Sequence, residues 1–167
     1  MLNPTCPELL RAVIANLDEL VLPQLEGPHA RSSVKNMKLL LTHVIHRLEH
    51  EGPELAADNA EKRVAITELV ELAPDLDGAA ELGRRLEKIP SAGSYVAVAT
   101  LADEAGQLRQ LAIDASLLVH GNTAALGQEK ADELLAPLRR QLRAQLGRDL
   151  GAVAHITPSE VYDHKGA

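Results

Sequence analysis

What this chain of 167 residues lacks excludes more than what it contains. It has no Phe and no Trp, and Tyr95 and Tyr162 are its only aromatic side chains. A core without rings must be assembled from Leu, Val, Ile and Ala, which suits close-packed helices better than an aromatic-rich sheet. The same lack removes the usual platforms for stacking unpaired bases. A single cysteine, Cys6, excludes an intramolecular disulfide framework and a four-cysteine zinc site, and its place near the start makes it a poor nucleophile candidate. The net charge of −7 argues against generic nucleic-acid binding, because neutralising phosphates takes a basic surface. No apolar run approaches the roughly 20 residues that span a bilayer. The opening MLNPTCPELL lacks the basic and apolar regions of a signal peptide. The expectation is a soluble, cytoplasmic protein with neither a nucleic-acid nor a membrane partner.

Signature motifs are missing too. There is no HExxH, because His50-Glu51 runs into Gly52-Pro53. Glu26 and His29 have the spacing of a di-iron Glu-x-x-His pair, but Gly27-Pro28 lies between them. Neither GxxxxGK[ST], GxGxxG nor GxSxG occurs, so the common nucleotide and hydrolase signatures are excluded. No cofactor is implied.

What is present is helical periodicity. With 46% hydrophobic and 25% charged residues, the chain has the balance of an ordinary globular protein and the length of one domain. Thr5-Cys6-Pro7-Glu8 forms a capping box, followed by Leu10, Val13, Ile14, Leu17, Leu20, Val21 and Leu25 at steps suited to a helix. Pro23 kinks or ends this helix and Gly27-Pro28 closes it. From Ala30, a second helix carries Val34, Met37, Leu41, Val44 and Leu48 in a heptad-like seam that predicts a nearly antiparallel partner, and Gly52-Pro53 ends it. A third begins at Asp58 or Asn59, good N-caps, and buries Ile66, Leu69 and Val70 before Pro74. A fourth follows Asp77, with Leu82, Leu86 and Ile89 inward. Segment 95–99 alternates like a strand, yet no second strand exists to pair with it, and helical steps continue from Leu101 to Leu118. The last long segment, Thr123 to Leu150, carries Leu134, Leu135, Leu138, Leu142 and Leu146 and is expected to break at Pro137. Thr157-Pro158-Ser159-Glu160 suggests one more turn in a partly ordered tail, 151–167. The fold class expected is all-α: one domain over 1–167, an antiparallel bundle of five to six helices.

The ionisable residues concentrate in 43–59. His43, His46 and His50 share one helical stripe within about 60° of each other, a spacing able to chelate Zn²⁺ or Ni²⁺. That stripe lies opposite the seam and lacks a fourth ligand or second shell, so solvated surface histidines are the favoured reading and no metal site is assigned. Arg47, Glu49 and Glu51 crowd the end of the second helix, facing Asp58 and Asn59. They read first as caps and surface ion pairs. The alternative is a polar site at a helix-turn-helix mouth, with His46, Arg47, Glu49, His50, Asp58 and Asn59 contacting a ligand or partner. Arg139, Arg140, Arg143 and Arg148 read as a solvated basic face. Leu39 projects onto the histidine stripe and raises the prospect that this helix is covered on two sides.

The segments PELLRAVIANLDELVLPQLEG and RLEHEGPEL, with the Ala30-Arg31 helix between them, resemble a family of small bacterial helical proteins of unknown function. Its members are encoded beside aminoglycoside-phosphotransferase-like kinases and acyl-CoA dehydrogenases. The resemblance covers about the first 60 residues. The second helix here is about one turn longer, and the chain past Gly93 has no counterpart. The resemblance implies an accessory role in acyl-CoA or alcohol catabolism. The favoured expectation is a non-catalytic protein-interaction or self-associating helical protein. The alternative is a small-molecule or metal-binding protein or enzyme at the His46–Asn59 mouth.

Overall fold

The computed structural model describes residues 4–91 and 96–156, with side chains through 151. Among them it contains six α-helices and no strand: α1 (Cys6–Asn16), α2 (Pro28–Leu72), α3 (Ala79–Lys88), α4 (Val98–Gly121), α5 (Thr123–Leu126) and α6 (Gln128–Ile156). A π turn over Leu17–Val21 and a 3₁₀ turn over Leu22–Gln24 end the first helix, the latter at Pro23. The chain divides into two compact units, Pro53–Leu150 and Met1–Gly52 with Gly151–Ala167.

The unit 53–150 is a helical bundle with a closed aliphatic core. Ile66, Leu69, Leu108 and Leu134 are fully buried, and Leu82, Leu86, Leu111, Ala115, Val119 and Leu138 pack around them. Chain directions follow from the cross-links. Glu61 meets Arg148 and Glu68 meets Arg140, so α2 and α6 run antiparallel. Arg85 meets Asp114 while Gly78 approaches Leu118, so α3 and α4 do the same. Val70 lies at Gly83, and Arg63 reaches the carbonyls of Ile89 (3.0 Å) and Pro90 (2.8 Å), which sets α2 against α3. Asn59 with Leu101 and Arg63 with Glu104 make α2 and α4 parallel. Successive helices therefore alternate up and down, as short connections require. Gly78 starts α3 at φ +96°, where a Cβ would also stand 3.1 Å from Leu118.

In the other unit α1 opens with the expected capping box: Thr5 N–H donates to Glu8 Oε2 (2.7 Å) and Glu8 N–H to Thr5 Oγ1 (3.4 Å). Arg11 pairs with Glu49 at 2.6 Å and Asp18 pairs with Lys38, so this segment runs antiparallel to the first part of α2.

Four sequence expectations are corrected. First, Gly52-Pro53 does not end a helix: α2 continues through it, and the boundary between units falls there instead. An internal proline costs about 3 kcal/mol, but Leu55, Ala56 and Ala57 propagate helix well. Burying Ile66 and Leu69 in the same helix contributes about 1.5–3 kcal/mol each. Second, Asp58 and Asn59 are consequently interior positions, not caps. Third, Pro137 sits buried inside α6, and the break falls at Gly127, whose φ of +80° separates α5 from α6. Fourth, the seam is displaced. Val34 is buried and Leu41 half-buried, but Met37, Val44 and Leu48 are exposed. The row that turns inward is Val34, Lys38, Leu41 and Ile45, which has the same three- and four-residue steps and shares two members with the expected row. A lysine is tolerated there because Asp18 takes its charge. The α6 stripe likewise is buried only as far as Leu138, with Leu142 and Leu146 exposed. Tyr95 and the Thr157–Glu160 pattern lie outside the described residues.

Candidate functional site

The residues 46–59 are not gathered around a turn. His43 and His46 are half-buried, His50 is exposed, and the rings of His46 and His50 stand 4.5 Å apart. Arg47 is bound to Glu51, Nε to Oε2 at 3.0 Å, and this hydrogen bond holds the Glu51 carboxyl below its ordinary value. Glu49 is taken by Arg11. Among the described residues no three His, Cys, Asp or Glu side chains are grouped to hold a metal ion. Leu39 is half-buried beside His43 and His46, so this face of α2 loses part of its water.

Asp58 and Asn59 belong to the other unit, where they anchor a buried polar cluster. Asp58 Oδ2 accepts from Lys62 Nζ, and its Oδ1 accepts from Gln141 Nε2 (2.7 Å) and an Arg148 nitrogen (3.2 Å). Asp58, Lys62 and Gln141 are all buried. Arg148 also grips Glu61 with two bonds of 2.8 Å, and Glu61 first, then Asp58, raise its guanidinium above the ordinary value. A carboxylate holding three donors serves as an anchor that locks α6 to α2. Breaking a buried pair of this kind costs about 3–5 kcal/mol, because it strands the other charge. Asn59 Nδ2 donates to the Leu101 carbonyl at 3.0 Å, while its Oδ1 is buried without a hydrogen-bond partner. The arginines expected to form a basic face are largely committed: Arg139 to Asp132, Arg140 to Glu68 and Arg148 to Glu61.

The feature that sequence reasoning placed on the wrong side is apolar. Met37, Leu40, Val44 and Leu48 lie within about 80° on one face of α2, and all are exposed, Leu40 at 64%. In the same unit Leu9, Val13, Leu20 and Val21 are exposed as well. Against these eight, only Val34 and Ile45 among the unit's described hydrophobic residues are buried. The signal was available as a second apolar row one position from the first, but nothing in the spacing says which row is left uncovered.

No described helix is long and apolar enough to cross a membrane. Nothing among protein-family models, curated proteins or solved structures matches the chain.

Proposed function

We propose that this chain is a non-catalytic interaction protein that works by self-association through the α1–α2 segment of its first unit. The observation that carries the reading is the inversion of burial there, with eight large aliphatic side chains exposed and two buried. Monomeric proteins rarely present contiguous apolar patches beyond a few hundred Å². Two antiparallel helices with an open apolar face are half of a four-helix bundle. A second copy supplies the other half with the same chemistry, since a two-fold contact is self-complementary. The resemblance to small bacterial helical proteins supports an accessory role in acyl-CoA or alcohol catabolism, beside enzymes of the kinds that family's members are encoded with.

Light scattering on the purified full chain tests the proposal. The expected result is a dimer or larger closed oligomer that the double substitution Met37→Glu, Val44→Glu converts to monomer with its helix content retained. A monomer at every concentration would remove self-association. Capture of a kinase-like or dehydrogenase-like protein from the native host, lost in the same variant, would then assign the face to that partner instead.

A further inference from the structure

The bundle unit contains a second feature, unrelated to the exposed face of the first unit. A cleft of about 390 Å³ opens between α4 and α6, within the range of small-ligand sites. Its walls are aliphatic: Ala112 and Ile113 from α4, Leu135, Leu138 and Leu142 from α6. Its polar lining is one-signed. Lys62, Arg109 and Arg139 contribute cations, Ser116, His120, Gln141 and Gln145 add polar side chains, and no carboxylate lines it.

The charges are not equivalent. Arg139 is paired with Asp132 outside the lining. Lys62 is 4% exposed and has Asp58 as its acceptor, the one hydrogen-bond partner of its three N–H donors among the described residues. Arg109 forms neither hydrogen bond nor ion pair among the described residues. The ion-paired set of Asp58, Glu61, Lys62 and Arg148 sums to zero formal charge, so the unbalanced formal charge at this cleft is the single guanidinium of Arg109.

We propose that this cleft binds an amphipathic monoanion, an aliphatic carboxylate whose head is held by Arg109 and whose chain lies on Ile113, Leu138 and Leu142. Three features of the lining select that class. One free guanidinium matches one carboxylate in a forked, bidentate geometry. The lining residues of α4 and α6 come from helix interiors, where backbone N–H groups are already bonded, so the multiple main-chain donors a phosphate dianion uses are absent. No Phe, Tyr or Trp lines the cleft, His120 supplying its one ring, and the branched aliphatic side chains favour a flexible hydrocarbon.

Titration calorimetry of the full chain with octanoate, octanol and octylammonium tests the assignment. Octanoate is expected to bind once per chain, at least tenfold more tightly than either analogue. Arg109→Gln should weaken octanoate at least tenfold while leaving octanol unchanged, and Ile113→Asp should weaken both. Both positions are exposed, and retained far-ultraviolet circular dichroism confirms that the variants fold. The Met37→Glu, Val44→Glu variant should bind octanoate as the parent does. Octylammonium binding as tightly as octanoate, octanoate affinity unchanged in Arg109→Gln, or its loss in the Met37 and Val44 variant would each overturn the proposal.

Discussion

The two units spend similar aliphatic material in opposite ways. In 53–150, leucines at three- and four-residue steps on four alternating helices meet in one core, and charged residues that enter it are bonded. In 1–52, rows with the same steps leave most of their apolar members in water. Periodicity is therefore a statement about which residues could share a face, and burial depends on how many helices are present to cover it. Two helices can cover only one row on each other; four cover each other on several sides.

Substitutions can break or sharpen this contrast. The largest effect is expected in the buried cluster: Asp58→Ala should destabilise the chain by about 3–5 kcal/mol in urea unfolding, since Lys62 would stay buried without its acceptor. A loss under 1 kcal/mol there would refute the anchoring role. Leu108→Ala should cost about 2–5 kcal/mol by leaving a cavity, whereas Leu40→Ala in the other unit should change the stability of a monomeric background by under about 0.5 kcal/mol. Equal losses at the two leucines would erase the distinction between units. Thr5→Ala removes a cap worth about 1 kcal/mol, readable as lower helix content and a lower melting temperature.

The smallest effect concerns acid. Arg85 first and Gln110 second hold the Asp114 carboxyl below its ordinary value. A depressed carboxylate contributes stability that is fully present above the unfolded value, near 4, and lost as pH falls through the lower folded value. Unfolding midpoints of the parent and Asp114→Asn should differ at neutral pH and converge in acid. A constant gap across the acid limb would mean that the pair with Arg85 does not carry the effect.

The all-α class was legible because the aliphatic rows are long and no second strand-like run competes with them. The inward residues Ile66, Leu69, Leu82, Leu86 and Ile89 were legible for the same reason. Helix ends were less so. Gly52-Pro53 and Pro137 read as stops, but a proline terminates a helix only when its removal of one hydrogen bond outweighs what lies on either side, and packing is not local. Asp58 looked like a cap because its side chain is short and polar; its partners Gln141 and Arg148 lie more than 80 positions away in the chain. The apolar cleft was invisible for a similar reason, since its lining is spread from Lys62 to Gln145.

Pro53 has one more consequence. It supplies no amide hydrogen to the ladder of α2, so the ladder is weakest where the two units meet in sequence. Deuterium uptake should accordingly fall into two blocks: amides of 30–50 labelling within short exposures, and those of 60–70 protected until the whole bundle opens. A single uninterrupted helix would in this way report two separate clocks.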